Sequence, residues 1–147
     1  MRYREEGQVH MDFHRTTNGT IAYLRNNYGQ DFLDETFRAT ARDVYKSIRE
    51  DLERGDASQL VEHWRYFFSR EGGDYEISEE CDEIRLEVKR CPAVSYLQGK
   101  SIEVDPGFCR QTSVVNSTLV ENSEFEIETQ VLGNGRCVQT LRKRRNA

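Results

Sequence analysis

The sequence predicts an α+β domain: an N-terminal three-helix segment packed on an antiparallel β-sheet, with two short helices between two hairpins. Three observations predict it. Apolar residues in the first half recur every three or four positions, as one face of a helix requires. After Gly72-Gly73 the period changes to two, as in strands with one wet face. Glycines and turn residues then stand where each period breaks off, which orders the elements as helices first and hairpins after.

The first helix runs from about Met11 to Tyr28, with Phe13, Ile21, Leu24 and Tyr28 as its apolar residues and Gly29 as its C-cap. Leu33, Phe37, Ala41, Val44, Ile48 and Leu52 form the face of a second helix, which ends at Gly55. Asp56-Ala57-Ser58 supplies N-cap chemistry for a third, carrying Leu60, Val61, Trp64, Phe67 and Phe68. Ile84, Leu86 and Val88 alternate with charges as a strand, and Tyr75–Ile77 is placed to pair with it. Pro92–Gly99 and Gly107–Asn122 read as helices. Phe125, Ile127, Thr129 and Val131 make a further strand, and Leu132-Gly133-Asn134-Gly135 a turn into a last one near Arg136–Leu141. One domain over residues 1–147 is expected, its helical half at about 8–71 and its sheet-containing half at about 74–143.

The bulk numbers exclude several classes. A formal net charge of −5 argues against general nucleic-acid binding, which needs a basic surface. Arg142-Lys143-Arg144-Arg145 is the one dense basic run and reads as a solvated chain end. The start, residues 1–6, is polar, and no stretch approaches the roughly 20 apolar residues of a membrane span. A cytoplasmic protein with reduced thiols is therefore expected, its partner a small-molecule substrate or ligand, with a homodimer as a further expectation.

Chemistry is expected first at cysteine. Cys91, Cys109 and Cys137 each have an arginine beside them, in Arg90-Cys91-Pro92, Phe108-Cys109-Arg110 and Gly135-Arg136-Cys137, and a nearby cation favours thiolate. Cys81 lies among Glu79, Glu80, Asp82 and Glu83, which favour the protonated thiol. No Cys-x-x-Cys pair is present, so neither a zinc ribbon nor a dithiol redox motif is formed. Cys109 at the start of a helix gains further support for a thiolate from the N-terminal amides. The alternative is that these thiols simply pack.

His10 and His14, four apart in His10-Met11-Asp12-Phe13-His14-Arg15, would share a helix face and could ligate zinc or another divalent metal. His14 could instead be a general base, its tautomer held by Asp12 or another carboxylate. His63, beside Trp64, reads as structural, and Trp64, Tyr66, Phe67 and Phe68 read as core.

His10-Met11-Asp12-Phe13-His14-Arg15, Tyr28-Gly29, Arg90-Cys91-Pro92-Ala93, Phe108-Cys109 and Gly135-Arg136-Cys137 together resemble a bacterial family, the L-2-amino-thiazoline-4-carboxylic acid hydrolases. The likeness spans roughly residues 10–141; members more typically carry an aromatic or acidic residue after the last cysteine, where this chain has Val138-Gln139-Thr140. The resemblance implies ring-opening hydrolysis of a cyclic isothiourea to a carbamoyl derivative of cysteine. It would place Cys109 or Cys91 as nucleophile, or His14 activating water or acting as acid, with Cys137 beside them and Arg110, Arg15 or Arg136 clamping the substrate carboxylate. The three cysteines and His14 are expected to meet in one pocket between the helical half and the sheet. A looser likeness to sensor domains of the 4-vinyl-reductase type implies the rival: a non-enzymatic small-molecule or metal-binding sensor or interaction module.

Overall fold

The computed structural model describes residues 7–145; the polar stretch at residues 1–6 lies outside them. Four helices, α1 (Asp12–Tyr28), α2 (Gln30–Asp43), α3 (Lys46–Glu53) and α4 (Ser58–Arg70), precede the first hairpin, β1 (Asp74–Glu80) and β2 (Glu83–Arg90). Helices α5 (Pro92–Gly99) and α6 (Pro106–Leu119) lead to the second hairpin, β3 (Phe125–Gly133) and β4 (Arg136–Lys143). The architecture is the expected α+β one, with an antiparallel sheet ordered β1-β2-β4-β3.

The single helix expected over Leu33–Leu52 is two. It breaks at Val44 and Tyr45, and the break turns Val44, in phase with the apolar stripe, out to 60% exposure. Tyr45 goes inward instead, its ring 5.2 Å from that of His63. A two-residue interruption of this kind leaves the spacing of Ala41, Ile48 and Leu52 almost unchanged, which is why periodicity passes over it. Asp56 starts α4 as expected, its Oδ1 accepting from the Ser58 N–H at 2.9 Å.

The two hairpins join through β2 and β4, where Ile84 pairs with Leu141, Leu86 with Gln139 and Val88 with Cys137. The β3–β4 register extends these rows to Ile127, Thr129 and Val131. One core runs from Ile21, Leu33, Phe37 and Trp64 through Leu119 to Leu86 and Leu141, so both halves of the chain share it. Gly107 permits the tightest approach in that core. A Cβ there would stand 2.9 Å from Ile21 Cγ2 and 3.0 Å from Leu33 Cδ2, so only glycine lets α6 lie this close to α1 and α2.

Ion pairs fasten the loops around this core. Arg25 grips Asp105 through Nε at 3.0 Å and Nη2 at 2.8 Å, and Asp105 caps α6 by accepting from Gly107 N–H at 2.8 Å. Asn18 holds the same loop, donating to Glu103 O and accepting from Asp105 N–H, both at 2.9 Å. The basic run near the end is exposed at Lys143, Arg144 and Arg145, as expected of a solvated chain end, but it is tied down. Arg142 pairs with Glu126 and Glu128 across β3, Lys143 with Glu124, and Arg144 donates to Phe125 O and Val120 O. Among the described residues no helix is long and apolar enough to cross a membrane.

Candidate functional site

A cavity of about 280 Å³ opens between α1 and α4 on one side and α5, α6 and the β3–β4 hairpin on the other. Cys91, Cys109, Cys137 and His14 all line it, so the expected convergence of these four residues is found. Cys91 follows β2 and begins α5; its N–H donates to Gly135 O at 2.8 Å, which ties the start of that helix to the β3–β4 turn. Asn134 (φ 50°) and Gly135 (φ 71°) form this turn in the left-handed region, as the Gly-Asn-Gly sequence leads one to expect. Cys137 enters from β4, opposite Val88, and Cys109 from the second turn of α6.

The thiols are not the activated ones expected from their neighbours. Burial pushes the Cys91 thiol up, and the amides of Ala93 and Val94 offset only part of that. Burial raises Cys109 as well, with the nearby Cys91 adding to it, and Cys137 is pushed up to about 11, burial again the main cause. Desolvation disfavours the charged form, and here no cation overcomes it. Two of the three adjacent arginines are engaged elsewhere. Arg110 grips Asp34 on α2 through Nε at 2.7 Å and Nη2 at 2.5 Å, holding that carboxyl below the usual range. Arg90 donates to Gly72 O. The N-terminus of the helix that carries Cys109 is capped by Asp105, whose side chain accepts from Gly107 N–H.

Only Arg136 of the three expected clamp residues lines the cavity, from its exposed rim. Arg110 is committed to Asp34, and Arg15 is exposed on α1 away from the lining. The expected metal pair does not form either. His10 precedes α1 and is exposed, whereas His14 is buried, so the two share no helix face. Among the described residues no group of three or more His, Cys, Asp or Glu side chains is placed to hold a metal ion.

His14 is the centre of what does form. It is 3% exposed, and its Nε2 stands 2.7 Å from Glu71 Oε2, on a side chain itself 6% exposed. The Phe13 ring lies against the imidazole with centroids 3.9 Å apart, and Phe67 meets it edge-on at 6.5 Å. Asp12, a candidate for holding the imidazole, is exposed and instead accepts a hydrogen bond from the Tyr96 hydroxyl. Glu71 has that role, and sequence reasoning passed over it. A signal was available: Glu71 ends α4, where the macrodipole disfavours a carboxylate, so its position asks for a partner.

A second polar cluster faces the same space. Asn116 on α6 donates through Nδ2 to Gln139 Oε1 at 2.7 Å and to Thr129 Oγ1 at 3.0 Å. Gln139 Nε2 lies 3.9 Å from Cys137 Sγ. His63 and Tyr45 add to the polar lining, with burial pushing His63 down to about 4 and raising Tyr45. Leu60, Trp64, Phe108 and Val115 supply apolar walls. Compared with models of protein families and with curated proteins, the chain finds no match in either.

Proposed function

We propose that the chain is a hydrolase that opens a small cyclic isothiourea- or amidine-like molecule, with the His14–Glu71 pair as its base. The observation that carries this reading is a buried imidazole held by a buried carboxylate at 2.7 Å, on the wall of a cavity it shares with three thiols. The residues likened above to L-2-amino-thiazoline-4-carboxylic acid hydrolases lend it support, since Cys91, Cys109, Cys137 and His14 are those that line the cavity.

With Glu71 accepting the Nε2 proton of His14, Nδ1 is left as the imidazole's acceptor nitrogen. In the reaction, His14 takes a proton from water as the oxygen adds to the carbon between ring sulfur and nitrogen. The carbon–nitrogen π pair moves to nitrogen, which takes that proton from His14. The carbon–sulfur bond then breaks with its electron pair on sulfur, and the proton of the new hydroxyl passes to sulfur, giving a thiol and a carbamoyl group. The cysteines act as neutral contacts around the ring rather than as attacking thiolates, because burial holds them protonated. Arg136 at the rim suits a substrate carboxylate. A reducing compartment, where the four cysteines stay free, suits this chemistry.

The test is thiol release from 2-aminothiazoline-4-carboxylate, read with a thiol-reactive chromophore after the protein is removed. The native chain is expected to release thiol, and His14→Asn and Glu71→Gln to lower the rate by about 10²-fold or more. No release by the native chain, or an unchanged rate in His14→Asn, overturns the reading. The second reading, a ligand sensor, is favoured by the raised thiols and the largely apolar lining. It predicts a ligand that raises the melting temperature without being consumed.

A further inference from the structure

The amide cluster has two functional groups left over. Both N–H bonds of Asn116 are engaged, by Gln139 Oε1 and Thr129 Oγ1, while its carbonyl Oδ1 has no partner among the described residues. Gln139 spends its carbonyl on Asn116, and its amide N–H groups meet only the sulfur of Cys137 at 3.9 Å, a weak acceptor. Both side chains are almost fully buried, Asn116 at 4% and Gln139 at 3% exposure, and both line the cavity. Polar groups this buried need partners, and the space they border is where one would come from.

The packing supports a fixed arrangement. Gln139 stands on the inner face of the sheet, with Leu86 beside it on β2 and Thr129 on β3. Asn116 is held between Val115 and Leu119 on the covered face of α6. Both amides line the cavity, so an acceptor and a donor are presented to it side by side.

We propose that Asn116 and Gln139 form the specificity subsite of the cavity, reading a ligand edge in which an N–H donor adjoins a nitrogen or oxygen acceptor across one carbon. An amidine, urea, amide or isothiourea edge has that pattern. The ligand N–H donates to Asn116 Oδ1, and the adjoining acceptor takes a hydrogen bond from Gln139 Nε2. The inference deepens the hydrolase reading by naming the residues that recognise the substrate's edge, and rests on it only for the location of the reacting carbon.

Two inert probes test it: 2-aminothiazole-4-carboxylate, which carries the donor, and 2-methylthiazole-4-carboxylate, which has the same shape without it. Neither is hydrolysed, so the outcome is independent of whether the chain turns over any substrate. Binding is read by the fluorescence of Trp64, the one tryptophan, on the cavity wall. On the native chain the amino probe is expected to bind about tenfold or more tightly than the methyl probe, the effect of one buried hydrogen bond. In Asn116→Leu the preference is expected to vanish while the methyl probe keeps its affinity, and in Gln139→Met both probes are expected to weaken by a similar factor. Equal affinities for the two probes on the native chain, or no binding of either, overturns the assignment.

Discussion

Cysteine occurs in two regions of this molecule, and the two are opposites. At the tip of the β1–β2 hairpin, Cys81 is surrounded in sequence by carboxylates and open to solvent. In the cavity, Cys91, Cys109 and Cys137 have arginines as sequence neighbours and are desolvated. Neighbouring charge suggests that the cavity thiols should be the reactive ones. The fold reverses this. A guanidinium one residue away can extend far from the sulfur, as Arg110 does towards Asp34, whereas desolvation acts on the sulfur itself. For these thiols, tertiary placement outweighs sequence neighbourhood.

The most direct way to break that comparison is to alkylate the native protein with iodoacetamide at neutral pH and map the products. Cys81 is expected to react first, and Cys137 about 100-fold more slowly than an ordinary thiol, given a shift from 9.0 to about 11. All four should react at similar rates once the chain is unfolded. A cavity thiol that outpaces Cys81 would restore the argument from neighbouring arginine.

Burial on the same wall acts on a base as well. His63 is pushed down to about 4 from 6.5, so between these values the unfolded chain binds a proton that the folded chain does not. Stability therefore falls as pH drops from 6.5 towards 4.5, by about 2 kcal/mol. Urea titrations at the two pH values measure it, and His63→Gln should remove most of the slope. A slope unchanged in that variant would mean that His63 is not desolvated as the structure has it.

The smallest effect isolates the arginine beside Cys109. Arg110→Leu leaves Asp34 without its guanidinium and is expected to lower stability by about 1 kcal/mol, the half-exposed arginine limiting the loss. Its alkylation rate at Cys109 should stay that of the native chain. A clear drop would show that the cation does act on the sulfur.

Much of the fold was legible in the sequence, and the site less so. The Ile84, Leu86, Val88 alternation and the Gly-Asn-Gly turn are local signals, and β2 and the second hairpin follow from them. In α1 the same reasoning picks Phe13 and Tyr28, which are exposed, while His14 and Asn18 are buried. The reason is that Asn18 answers the loop at Glu103 and Asp105, and His14 answers Glu71, partners that spacing along α1 does not reveal. Gln139 was nearer to being readable. It stands in phase with Leu141 on the covered face of β4, a polar residue where alternation calls for an apolar one.

The bond from Cys91 N–H to Gly135 O joins the end of one hairpin to the turn of the other. Those residues are far apart in the chain, and so are β2 and β4, whose pairing brings Cys137 alongside Val88. Closing such long loops is slow compared with forming local helices. The helices and each hairpin can therefore appear while the three thiols are still apart. Refolding has a built-in clock: the moment at which Cys91 and Cys137 stop reacting with a pulse of alkylating reagent marks the joining of the two hairpins.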